Sequence, residues 1–388
     1  MTSHSQGSDP FNVLIAGAGV AGLEAALALR DHAGEAIRLT LLAPDPDFVY
    51  RPMAVQEPFA YGAAARYPLS SIAADLGAEL LADAFAWVEP AARVAHTAGG
   101  EQLSYDALLL ALGARPQRRY ARAITVDDRH LDETLHGLIQ DIEGGYVKRL
   151  VFLVPPRMAW PLPIYELALM TAGRAYDMDL EISVTVVTPE DAPLAIFGAE
   201  ASTSVGELLR QSGIATATSS YAEVPSSTEV VLHPGDRRLS CDRVVALPEL
   251  FGPAVRGLPA AEHGFIPVDR HGQVRGVERV YAAGDAADFA IKHGGVAAQQ
   301  ADAAAEAITA LVGVPIEPKR FDPMIHGMLL TGDRPKYLTA HITGGSGFSS
   351  TVSDTPTWSP PGKIAARYLA PYLEQRDRVI GTREAHVS

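Results

Sequence analysis

The chain has 388 residues, 47% of them hydrophobic and 20% charged, which leaves room for two or three packed units with sizeable cores. Its formal net charge of −14 excludes nucleic acid and anionic membrane surfaces as default partners, since both are themselves negative. The lone cysteine, Cys241, allows no intramolecular disulfide and no cysteine-based zinc spacing; it reads as structural, and no metal is expected.

Residues 1–10 read as an unstructured, polar start without the basic-then-apolar pattern of a secretory signal. No apolar run reaches the length of a spanning helix, so a cytoplasmic protein is expected. From Phe11 the pattern is strand 12–16, helix 21–32, strand 37–42. A further strand runs through Tyr105, Asp106 and Ala111 to Gly113, followed by a polar stretch, 118–128, and a helix near 131–143. A second unit then opens with strand 148–154, helix 164–176, strand 181–187 and helix 200–211, and closes with strands near 228–232 and 242–246. Next come a strand ending at Gly284-Asp285 and a long alanine-rich helix from about Val296. Beyond Phe321 the pattern predicts a hairpin over 327–341 with its turn at Gly332–Pro335, a Ser/Thr/Gly/Pro-rich loop at 343–362, and a last helix. That helix carries Ile364, Tyr368, Leu369, Tyr372 and Leu373 on one face and is interrupted by Pro371. It is expected to bury against the first unit or a dimer mate rather than to lie on a membrane surface.

Two strand–turn–helix junctions dominate the reading. The first is Gly17-x-Gly19-x-x-Gly22, between an apolar strand and an Ala/Leu helix, where glycines permit a tight turn and let backbone N–H groups approach a pyrophosphate. The second, about 135 residues later, keeps its strand and helix flanks but has lost every glycine. It reads Val154-Pro155-Pro156-Arg157-Met158, then Trp160-Pro161-Leu162-Pro163. Prolines supply no N–H, and the Arg157, Met158 and Trp160 side chains stand where a pyrophosphate needs bare backbone. Arg157 could still bind phosphate by itself.

The order of these junctions with Tyr105-Asp106, Gly113-Ala114 and Tyr281 to Asp285 resembles the two-dinucleotide-domain flavoprotein superfamily, which includes the pyridine nucleotide-disulfide reductases. Within it the chain looks most like type II NADH dehydrogenases and sulfide:quinone oxidoreductases. The resemblance covers about residues 11–310 well and the rest loosely. It implies an α/β fold of two Rossmann-like domains with a small C-terminal α+β domain. The implied FAD-binding domain is discontinuous, residues 11–116 and 245–320. Residues 117–244 form a second, NAD(P)-binding-like domain with a degenerate nucleotide loop, and 321–388 an interface domain, with a homodimer by analogy.

Carried over by position, the resemblance implies that Gly17, Gly19, Ala21 and Gly22 hold the FAD pyrophosphate, that Gly284 and Asp285 meet the ribityl chain, and that Val296 and Ala297 open a helix aimed at the flavin pyrimidine. Arg51, Pro52 and Gly113 would lie along the cofactor. The acidic residue usual at the end of the second strand is replaced by Ala43, leaving Asp45 as the ribose candidate. Glu166 reads either as an acid/base or substrate contact beside the flavin or as a first-turn carboxylate favoured by the helix dipole. Trp160 and Tyr165 are candidates to line the same pocket, as packing or as substrate contacts. His293 reads as a proton donor near neutral pH or as a loop histidine. Gln299 and Gln300 resemble residues that sit near quinone in relatives.

The expectation is therefore an FAD-dependent oxidoreductase without a redox disulfide, moving electrons from an unidentified donor to a quinone-like or other small organic acceptor, with NAD(P)H doubtful as that donor. Two alternatives stay open: an NAD(P)H:acceptor oxidoreductase with an atypical nicotinamide loop, and a flavin-binding redox partner without turnover.

Overall fold

The computed structural model describes residues 10–342 and 348–385; residues 1–9, expected to be unstructured, and part of the expected loop at 343–362 lie outside these. Its helices are α1 Val20–Ala33, α2 Leu69–Leu76, α3 Leu131–Glu143, α4 Leu162–Asp177, α5 Ala199–Gln211, α6 Gly294–Val312 and α7 Leu369–Ala385.

Two five-stranded parallel sheets organise the chain. The first has the order Val280–Ala282, Ala107–Leu110, Phe11–Ala16, Ile37–Leu42, Glu79–Leu81. Its inner strands are near-continuous apolar runs, as expected for a sheet covered on both faces; Ala107, Leu108, Leu109 and Leu110 are all fully buried. The strand Phe11–Ala16 pairs with Ile37–Leu42 on one side and Ala107–Leu110 on the other. The chain order reverses there, which opens a crevice at the carboxyl ends of the strands. The second sheet repeats the plan in the order Ile124–Thr125, Arg243–Ala246, Arg149–Leu153, Ser183–Val187, Ile214–Ala217.

Small residues set the helix packing on the first sheet. Ala25 and Ala28 of α1 and Ala298, Ala301, Ala304 and Ala305 of α6 are buried in one cluster, so the two helices approach closely. The C-terminal part divides its allegiance. The antiparallel strands Met324–Leu329, Lys336–Ile342 and Phe348–Ser353 join the core of the second unit, where Ile325, Leu329 and Leu338 share a cluster with Phe152, Tyr165 and Phe197. Helix α7 instead buries Leu369 and Leu373 among residues of the first unit. The third strand lies within the stretch read from sequence as loop. Ile364 and Tyr368, expected on the last helix, lie before it, because residues 363–368 run as irregular chain ahead of α7. Among the described residues no helix is long and apolar enough to cross a membrane, and no His/Cys/Asp/Glu group could hold a metal.

Candidate active site

The first junction is built as an open anion seat. Gly17 has φ +102°, and a Cβ there would stand 2.3 Å from the Ala111 carbonyl oxygen; one at Gly22 would stand 1.9 Å from the Gly17 carbonyl oxygen. The turn can therefore close only with glycine at both positions. At Gly19 a Cβ would meet nothing within 4 Å, so the space above the helix start is open. Helix α1 begins with no side-chain cap and no acidic residue in its first turn, leaving its orphan N–H groups and positive end to an external anion. Ala21 and Gly22 are buried in that first turn. Gly113, φ +69°, likewise faces open space.

Helix α6 converges on the same crevice. A Cβ on Gly284 would come within 3.1 Å of Ala21 Cβ and 3.4 Å of Ala297 Cβ, so this glycine lets the starts of α1 and α6 meet. The Gly284 N–H donates to Gln300 Oε1 at 2.8 Å, and Val296 and Ala297 are buried in the first turn of α6. Asp285 is half-buried and makes no hydrogen bond among the described residues. Enclosure by protein pushes its carboxyl up to about 6, with Lys292 opposing and Asp128 adding to the rise. An enclosed carboxylate without a protein donor is what a hydroxyl-bearing ligand would satisfy. Arg51 opens a 3-10 helix with Pro52 behind it, and its charge acts on Asp128. Asp45 is exposed just beyond the second strand and Ala43 is buried. These residues fit a dinucleotide: an anion seat, a groove and a free hydroxyl acceptor.

Beside the start of α6 lies a second cluster. His293 is buried; its Nδ1 accepts the Gly295 N–H at 3.2 Å, capping α6, and its ring lies against Trp160 at 4.2 Å between centroids, tilted by 33°. Burial pushes this imidazole down to about 3, so it is neutral at physiological pH. That corrects the reading of His293 as a protonated donor: with Nδ1 accepting, the ring carries its proton on Nε2. Trp160 is half-buried, with its indole edge-on to Phe197.

Glu166 is fully buried and paired with Lys363, whose Nζ lies 2.7 and 2.6 Å from its two carboxylate oxygens; the Leu330 N–H donates to Oε1 at 2.8 Å. Burial pushes the Glu166 carboxyl up and the Lys363 ammonium down, and each partner's charge opposes that trend. The ammonium donates to both carboxylate oxygens, so each buried group is held by the other. The first-turn dipole reading of Glu166 is superseded by this pair. Lys363 was not singled out from sequence, since a lysine in a Pro/Gly-rich stretch 197 residues away carries no periodic signal. The next residue, Ile364, packs on Gly294 and donates its N–H to Tyr50 Oη at 2.9 Å.

The second junction is closed by its own side chains. Tyr165 is fully buried and donates to Glu190 Oε2 at 2.6 Å, so it faces the end of the strand Ser183–Val187 rather than lining a pocket with Trp160. The Glu190 carboxylate also accepts from Thr188 Oγ1 at 2.8 Å and the Ala195 N–H at 3.1 Å. Arg157 donates to Glu249 Oε2 at 2.8 Å, hydrogen-bonds His263 and lies over the Phe251 ring. Its guanidinium is held by these three contacts while staying partly exposed. Helix α4 starts on Pro161 and Pro163, consistent with prolines at positions where N–H groups would be orphaned. Gln299 bonds the Gly295 carbonyl and both backbone groups of Met324, so its carboxamide is taken up by backbone, while Gln300 accepts the Gly284 N–H through Oε1.

The family model described as pyridine nucleotide-disulphide oxidoreductase matches residues 11–137 and 166–301, more than half of the chain. Among solved structures the fold is similar to the sulfide:quinone oxidoreductase of Aquifex aeolicus, at TM-score 0.78 and 17% identity over 89% of this chain and 87% of that one. It is similar also to a ferredoxin reductase for the CYP199A2 system of Rhodopseudomonas palustris, at 0.66 and 22% over 88% of each chain. A putidaredoxin reductase–putidaredoxin complex gives 0.61 and 20%, over 85% of this chain and 81% of that one. No curated protein sequence matches.

Proposed function

The chain belongs to the pyridine nucleotide-disulphide oxidoreductase family of FAD-dependent enzymes, and we propose that it is a member whose electrons come from a donor other than NAD(P)H and pass to a quinone-like or other small organic acceptor. The observation that carries this reading is the closed second junction, with Glu190 already accepting from Tyr165, Thr188 and Ala195. A ribose hydroxyl approaching that carboxylate would compete with the donors it already has, and displacing one of them would cost about 1–3 kcal/mol. The family match itself lapses over residues 138–165, which include the proline-rich turn.

Gly17, Gly19, Ala21 and Gly22 would hold the FAD pyrophosphate; Arg51, Pro52 and Gly113 would flank the cofactor, and Asp285 would accept from ribityl hydroxyls. Val296 and Ala297 open the helix whose positive end favours the electron-rich reduced ring. When bound, the flavin supplies two-electron redox chemistry. The protein's own part is local. Neutral His293 positions α6 by capping it. Trp160 covers the cluster and restricts what can approach. The Glu166–Lys363 pair holds one proton that could move toward a reduced acceptor. Chemistry through a redox disulfide is unavailable to a chain with one cysteine. The quinone-like acceptor takes support from the likeness to a sulfide:quinone oxidoreductase and from the aromatic, weakly polar surroundings of Trp160.

Anaerobic titration of the FAD-loaded protein with NADH, NADPH and dithionite tests this reading. Bleaching by dithionite alone is expected. Fast stoichiometric bleaching by either nicotinamide would favour an NAD(P)H:acceptor oxidoreductase instead.

A further inference from the structure

Glu24 stands in α1, fully buried, and its carboxylate does not face the nucleotide seat. Its Oε1 accepts the N–H groups of Arg367 and Tyr368 at 2.7 and 2.9 Å, and its Oε2 that of Leu369 at 2.5 Å. One side chain thus satisfies the three amides at the entry to α7 and ties the chain just after Lys363 to the first unit. Asp302 of α6 faces Glu24 within hydrogen-bond reach, and its Oδ1 is buried without a partner. Two ionised carboxylates offer only acceptors, so a contact between them requires a proton. Glu24 is already committed to three N–H donors, which favours its ionised form and leaves the proton on Asp302.

We propose that Glu24 and Asp302 share a single proton, and that this proton holds segment 363–369, and with it Lys363, against Glu166. Both act as positioning residues. The surrounding charges are accounted for. Arg367, which pairs with Glu306 at 3.7 Å, lowers the Asp302 carboxyl, and Glu306 raises it. Asp31 and His32 of α1 contact the Tyr368 hydroxyl. Asp75 and Arg376 contact Tyr372, and Asp377 contacts Tyr67, further along α7. Burial, then the Glu24 charge, pushes the Asp302 carboxyl up to about 8. Burial also raises Glu24, against the pull of its three amides, so the two titrate as a pair.

The sign follows from linkage. Closed, the pair keeps its proton up to about 8; opened to water, Asp302 is an ordinary carboxyl. Opening therefore releases a proton between those values, and the closed form loses ground as pH rises, until the dependence levels off above about 8. Only the consequence for Lys363 rests on the proposed function; the latch is read without turnover.

Hydrogen exchange by mass spectrometry on the FAD-loaded protein, corrected for intrinsic rates, tests the proposal. The opening constant of the 363–370 peptide should rise by up to about tenfold per pH unit between about pH 6 and 8, then flatten. Asp302→Asn, whose amide can donate to Glu24 at every pH, should show no such rise. A flat wild-type profile would overturn the proposal, as would an equal rise in Asp302→Asn. If that variant does not fold, the wild-type slope decides alone.

Discussion

The two strand–turn–helix junctions share a plan and differ in what occupies the crevice. In the first, Gly19 leaves open space at the start of an uncapped helix, and Asp285 waits without a donor. In the second, Tyr165 reaches back to Glu190, and Arg157 pins the turn to Glu249. A parallel sheet with a switch point creates a crevice in both. Whether that crevice binds a nucleotide depends on whether the protein's own side chains leave its donors and acceptors unpaired.

Substitutions can break or sharpen this contrast. The largest effect is expected from Gly19→Val. A Cβ there meets no protein atom within 4 Å and the side chain enters the anion seat, so the variant should fold and lose its flavin absorbance. Retention of full FAD would refute the assigned seat. Glu166→Ala, which strands Lys363 in the core, should cost about 3–5 kcal/mol in urea unfolding, while Glu166→Leu with Lys363→Met should recover most of that loss. Tyr165→Phe removes one of the donors to Glu190 and should cost about 1–3 kcal/mol without conferring reduction by NADH. Asp285 offers a test by pH. Its carboxyl lies above its unfolded value, so its contribution to apoprotein stability is lost as pH rises through about 6, and Asp285→Asn should remove that dependence. Arg157→Ala should have the smallest effect, about 1 kcal/mol or less, because its ion pair is partly solvated. It too should gain no nicotinamide reactivity, since the Glu190 contacts are untouched.

The sheets and long helices were legible because apolar runs and glycine turns are local signals. The strands at Phe85–Glu89, Val94–Thr97 and Gln102–Ser104 were not, being short and half-exposed, with weak alternation. At the site, the residues forming the first turn were readable because glycine at fixed spacing has a steric cause. The loss of the second turn was readable for the same reason. How that turn is filled was not: Tyr165–Glu190 and Glu166–Lys363 join residues 25 and 197 positions apart, pairings that only the packed chain defines. The charge state of His293 was misread because burial and capping, which set it, are properties of the fold.

The contrast is tested most directly by calorimetric titration of one protein with two nucleotides. Apoprotein should bind one equivalent of FAD tightly, and the FAD-loaded protein should show no binding heat with NADH, NADPH or ADP-ribose. Stoichiometric binding of any of these three to the loaded protein would mean that the second crevice is open, and would contradict the account.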